Sequence, residues 1–135
     1  MDIRPADASP TRRGPADYFT GTVWQDPVIE ASAPARIRVN RVSFEPGART
    51  AWHTHPLGQT LYVLSGVGRA QTLGGPVRTL RPGDTVWIPP VEKHWHGAAP
   101  GTGMSHLAMQ EALDGTAVVW MEKVSDEDYK AAPVS

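Results

Sequence analysis

The chain has 135 residues, 40% of them apolar, with 13 Gly, 13 Pro, no Cys and a formal net charge of −1. That length and apolar share suit one domain with its own core and exclude a disordered chain. No disulfide, thiolate metal site or cysteine nucleophile is available, and the scattered basic residues argue against a nucleic-acid or anionic-membrane partner. No stretch has the apolar length of a signal-peptide core or a membrane span, so a cytoplasmic setting is the default expectation.

Residues 1–16 are polar and rich in Pro, Ala, Asp and Arg, and read as an N-terminal arm preceding a single domain over 17–135. Tyr18–Trp24 is expected as an opening strand, ended by Gln25-Asp26-Pro27. Arg36–Phe44 alternates with a period of two, placing Asn40, Val42 and Phe44 on one face and Ile37, Val39 and Arg41 on the other. After a turn at Glu45-Pro46-Gly47, further strands are expected over Ala51–His55, Thr60–Leu64, Gly68–Thr72, Val77–Leu80, Thr85–Ile88, Lys93–His96, Ser105–Gln110 and Asp114–Trp120. Gly74-Gly75-Pro76 and Arg81-Pro82-Gly83-Asp84 punctuate them. One helix is expected near the end, with Ser125 as its N-cap and acidic residues in its first turn. Many short strands and turns in a chain of this size make an all-β fold, an antiparallel sandwich or jelly-roll barrel with a short C-terminal helix.

The chemistry concentrates in Trp52-His53-Thr54-His55-Pro56-Leu57-Gly58-Gln59. Two histidines two apart on an extended segment project to the same side. The break at Pro56-Leu57-Gly58 and the new strand from Gln59 bring the Gln59 amide oxygen back beside them. A third imidazole, His94, follows a Pro-bearing turn downstream. Three imidazoles and one amide oxygen form a metal site, although Gln59 can alternatively be read as a hydrogen-bonding neighbour of the ligands. Four neutral ligands leave an octahedral ion such as Mn²⁺ or Fe²⁺ two open positions, whereas Zn²⁺ closes more readily as a tetrahedron.

Gly47, His53, His55, Gln59 and Gly66 at these spacings resemble the first motif of the cupins, in most of which a Glu stands where this chain has Gln59. Gly83, Pro89 and His94 resemble the second motif, which usually has Gly at the position of Val91 and Asn at that of Ala98. Residues 47–98 are the metal-binding core of that resemblance. Over nearly the whole chain, Phe44-Glu-Pro-Gly-Ala-Arg-Thr-Ala-Trp-His-Thr-His-Pro-Leu-Gly-Gln-Thr-Leu and Glu92-Lys-His-Trp-His-Gly-Ala-Ala-Pro are similar to small bacterial cupins described as manganese-dependent hydroxynitrile lyases. The resemblance implies a jelly-roll barrel and Mn²⁺, with Fe²⁺ or Zn²⁺ as alternatives, held by His53, His55, Gln59 and His94. It also implies cleavage and formation of cyanohydrins such as mandelonitrile.

A base must take the hydroxyl proton as cyanide leaves. His96, two residues from His94, is the first candidate and His106 the second. Asn40, Val42, Phe44 and Gln110, with Trp95 or Trp52, are candidates for the pocket wall. The same metal centre would also suit a dioxygen-using cupin or a binder of small molecules without turnover. Trp24, Tyr62 and Trp120 are large apolar residues to cover, and a homo-oligomer, dimer or tetramer, is expected.

Overall fold

In the computed structural model, residues 1–134 are described. The elements in chain order are β1 (Arg12–Arg13), β2 (Phe19–Thr20), β3 (Val23–Glu30), β4 (Ile37–Phe44), β5 (Arg49–Thr50), β6 (His53–Thr54), β7 (Gln59–Gly66), β8 (Gly68–Thr72), β9 (Arg78–Leu80), β10 (Thr85–Ile88), β11 (His94–Ala98), β12 (Met104–Glu111), β13 (Val119–Trp120) and α1 (Asp126–Lys130). One antiparallel sheet runs β1-β3-β4-β12-β7-β10, and the other β13-β6-β11-β5-β2, with β8 on β11 and β9 on β8. Their inner faces close over a core that includes Phe19, Val42, Phe44, Leu61, Val63 and Met104. The chain thus forms the jelly-roll barrel with a C-terminal helix that its patterning implies. No helix among the described residues is long and apolar enough to cross a membrane.

Strand register explains why one end of the barrel is apolar and the other polar. Phe44 on β4 lies opposite Met104 on β12, Val42 opposite His106, and Asn40 opposite Ala108. On the other side of β12, Gln110 lies opposite Gln59 of β7. Side chains two apart share a face, so the inner surface grades from Phe44 and Met104 to a ring of amides and imidazoles. That polar end holds the site.

Three expected boundaries move. The opening strand breaks at Gly21, which has φ 79°, and β3 then continues through Pro27 to Glu30 instead of ending before it. The ladder slips a register between Pro27 and Ile29, and β1 covers only Trp24 and Gln25. Pro27 therefore sits on an open edge beside a bulge, where its missing N–H costs no ladder bond. Of the expected strand Ala51–His55 only β6 is strand, and β5 precedes it, because between the two Ala51 N turns to Tyr18 O (2.8 Å) and Trp52 N to Glu122 O (2.9 Å). Of Asp114–Trp120 only Val119–Trp120 is strand, as Leu113 and Thr116 bond each other in a turn.

Trp52 and Trp95 do not wall the pocket. They form a second core with Val77, Val124 and Tyr129, between the second sheet and α1. Trp95 alternates with His94 and His96 along β11, so it must point away from them. Arg49 bonds Asp126 (2.8 Å) and Val124 O (3.0 Å) and lies 4.4 Å over the Tyr129 ring. Ser125 caps α1 by accepting from Asp128 N at 3.1 Å. Trp24 and Tyr62 stand exposed on the outer face of the first sheet.

Val91 occupies the place where the second motif usually has glycine, and its φ is 63°. A β-branched residue in that left-handed region clashes with its own backbone. The turn holds it there through Val91 N to His55 O at 2.9 Å. Val91→Gly should raise the unfolding free energy by about 1 kcal/mol, the relief of strain exceeding the extra chain entropy of glycine. Urea unfolding of the two proteins measures it, and an equal or lower midpoint would show that the turn carries no strain.

Candidate metal centre

β6, the turn after it, the start of β7 and the start of β11 bring His53, His55, Gln59 and His94 to the polar end of the barrel. All four are buried, as are His96 and His106. The His53 ring centroid is 4.2 Å from that of His94, 5.0 Å from His55 and 5.3 Å from His96. Ring nitrogens of His53, His94 and His96 lie within 4.8 Å of one another.

The hydrogen bonds decide which nitrogen each ring offers. His53 Nδ1 bonds Ala51 O at 2.8 Å, His55 Nδ1 bonds Ala117 O at 2.7 Å and His94 Nδ1 bonds Glu92 O at 2.9 Å. A carbonyl only accepts, so each Nδ1 carries the proton and each Nε2 presents a lone pair. Burial pushes the His94 ring down to about 4, and lowers His53 and His55 below the ordinary imidazole value. Neighbouring imidazoles add to the effect at His53. The rings are therefore neutral at pH 7, the state a metal ion requires. Gln59 Oε1 lies 3.4 Å from His94 Nε2. Both atoms are acceptors in this arrangement, so two lone pairs face one space with no proton between them. His55 Nε2 is buried with no hydrogen-bond partner. Orphaned, converging and neutral donors of this kind fit a divalent metal ion.

A cavity of about 270 Å³ adjoins this cluster, lined by His53, His55, Gln59 and His96, by Asn40, Val42, Thr50, Ala108 and Gln110, and by Tyr18, Phe19 and Trp120 among others. No acidic residue lines it among the described residues. A larger groove of about 590 Å³ runs between β8–β9 and β10, and of the candidate residues His94 and Trp95 border it.

The residues from 40 to 109 match the family described as Cupin_2, cupin domain. The chain is a cupin. This cupin is 59% identical over 130 residues, 96% of its length and 99% of the relative's, to a Granulicella tundricola protein named (R)-mandelonitrile lyase. A cupin-like protein of Thermotoga maritima superposes with a TM-score of 0.84 at 39% identity, covering 96% of either chain. A cupin-2 domain of Rhodospirillum rubrum reaches a TM-score of 0.71 at 17% identity, over 95% of this chain and 83% of that one, a likeness of fold alone.

Of the residues expected to wall the pocket of this cupin, Asn40, Val42 and Gln110 line the cavity and Phe44 does not. Phe44 lies one rung deeper, opposite Met104, with its ring 5.9 Å from His96 and 5.3 Å from His106. It supports the imidazoles from below. His96 lines the cavity with its Nε2 unpartnered, whereas His106 sits behind it, joined by a 3.0 Å contact between His106 Nε2 and His96 Nδ1. Burial pushes the His106 ring down to about 4 and lowers His96 well below the ordinary value.

Sequence reasoning missed the aromatic side of the cupin cavity. Trp120, expected on an outer face, packs 4.7 Å from the His53 ring, and Tyr18 stacks on Trp120 at 4.8 Å and 11°. The pairing of β13 with β6, which sets Trp120 opposite His53, creates this contact. Tyr18 and Trp120 are about a hundred residues apart, and no local pattern links them. Thr50, whose Oγ1 accepts from His96 N at 3.2 Å, was missed for the same reason.

Proposed function

We propose that this cupin is a hydroxynitrile lyase, cleaving cyanohydrins of aromatic aldehydes to aldehyde and HCN and catalysing the reverse addition. The observation that carries the reading is the near-full-length relative named (R)-mandelonitrile lyase, and the cavity's chemistry supports it. His53, His55, His94 and Gln59 hold the metal ion, because the three rings share a Nδ1–carbonyl bond that fixes Nε2 outward. Mn²⁺ is the ion proposed, with Fe²⁺ or Zn²⁺ as alternatives. When bound, it supplies Lewis-acid polarisation of the substrate oxygen.

The chain's own residues supply the rest. With no carboxylate on the cavity wall, the base is an imidazole; of the two residues on that wall whose Nε2 has no partner, His55 is assigned to the metal ion, which leaves His96. His96 takes the hydroxyl proton as the O–H electrons form the carbonyl and the C–CN bond breaks. The departing cyanide then takes that proton from His96, closing the balance as aldehyde plus HCN. Phe19, Val42, Ala108 and Trp120 give the aryl group an apolar wall and exclude water from the bond that breaks.

Aldehyde release from mandelonitrile under argon tests the reading, comparing Mn²⁺-loaded protein with protein stripped by chelator. Loaded protein should release benzaldehyde at least about a hundredfold faster and consume the (R)-enantiomer preferentially. Equal rates in both samples, or a strict need for dioxygen, would overturn it.

A further inference from the structure

An amide ligand meets a difficulty that a carboxylate does not. Its two ends differ, and only the oxygen has a lone pair to offer a cation. Gln59 is buried and lies opposite Gln110 across β7 and β12, and Gln110 lies opposite Arg38 across β12 and β4. Three neighbouring strands therefore line up one main-chain carbonyl and two side-chain amides.

The polarity of that row starts at the sheet. The Arg38 carbonyl can only accept, and it takes the Gln110 amide, Nε2 to O at 3.1 Å. This turns Gln110 Oε1 toward β7, where it accepts from Gln59 Nε2 at 3.0 Å. Gln59 is left with its oxygen toward the histidines, 3.4 Å from His94 Nε2. Reversing Gln59 alone would set its oxygen against the Gln110 oxygen. Reversing both amides would set the Gln110 oxygen against the Arg38 carbonyl.

We propose that Gln110 is a positioning residue, which holds Gln59 with its oxygen toward the metal ion. The proposal rests on the reading of Gln59 as a ligand given above. It assigns Gln110 a role beyond that of cavity wall, and it explains how a neutral amide serves where a carboxylate would need no orientation. Partners of ligands commonly change metal affinity by about 10- to 100-fold when removed.

The test is Mn²⁺ affinity, read from the electron paramagnetic resonance signal of free aqueous Mn²⁺, with no turnover involved. Gln110→Met should weaken binding about 10-fold or more in the otherwise unaltered protein. In a Gln59→Glu background the same change should weaken it less than about 2-fold, or tighten it. There Gln110 faces a carboxylate with its own oxygen and cannot turn without meeting the Arg38 carbonyl. Equal loss in both backgrounds would mean that Gln110 only supports the barrel, and no loss in either would remove the proposal.

A second measurement does not depend on the variants folding. In wild-type protein labelled with glutamine carrying ¹³C at Cδ and ¹⁵N at the amide, the bound Mn²⁺ should couple to ¹³C through oxygen. A coupling of directly bonded size to ¹⁵N would overturn the assignment. Gln59→Ala binding Mn²⁺ as tightly as wild type would overturn the ligand reading and this proposal together. Absence of cyanohydrin cleavage with the affinity pattern intact would count against the lyase reading alone.

Discussion

His53→Ala is expected to lower mandelonitrile cleavage by about a thousandfold or more, and to remove the metal ion from the purified protein. The figure corresponds to about 4 kcal/mol of transition-state stabilisation, the scale of losing Lewis-acid polarisation at the reacting oxygen. His53 is the residue to remove because it is central to the cluster, its ring within 5.3 Å of those of His94, His55 and His96. Trp120 packs against the same ring, its centroid 4.7 Å away. The metal-free variant should melt within a few degrees of metal-free wild type, because the apolar core lies deeper, around Phe44, Leu61 and Val63. Elemental analysis, melting and initial rates on one preparation settle the matter. Retention of both full activity and full metal content would remove the chemical basis of the proposed function.

The cluster of imidazoles and one amide was legible in the sequence because it is local. His53, His55 and Gln59 sit within one hairpin, where strand alternation and a Pro-Leu-Gly break suffice to converge them. His94 follows a turn whose signals are equally short-range. The cavity wall was only half legible. Asn40, Val42 and Gln110 follow from strand phase, but phase cannot say how deep a rung lies, so Phe44 was misplaced by one pair. Trp120 and Tyr18 reach His53 through pairings of β13 with β6 and β2 with β5, each closing a long loop. Such contacts depend on register between distant segments, and nothing in either segment specifies it. Pro27 read as a terminator because the sequence does not show that β1 stops short and leaves it on an edge. The glycine-like backbone at Val91 shows the reverse case, in which the geometry persists although the residue that favours it is gone.

His96→Ala should cost about 10²- to 10⁴-fold in kcat while metal content stays near that of wild type, the range for loss of a positioned base. This outcome separates two arrangements that geometry alone brings close, since a ring nitrogen of His96 lies within 4.8 Å of ring nitrogens of His53 and His94. What distinguishes His96 is the group behind it. His53, His55 and His94 each back onto a main-chain carbonyl, which cannot accommodate a change of tautomer. His96 backs onto His106, 3.0 Å away, which can. For His96 Nε2 to receive a proton, Nδ1 must already donate to His106 Nε2, and the positive charge that then develops is shared with that ring. His106→Phe should therefore lower kcat as well, by less than His96→Ala, although His106 touches neither cavity nor substrate. His106→Gln, which can return an acceptor to the place of Nε2, should recover part of the loss, a rescue that a purely packing role for His106 would not give. Metal lost along with activity in His96→Ala would instead make His96 a ligand, and would require the base to be sought outside the histidine pair.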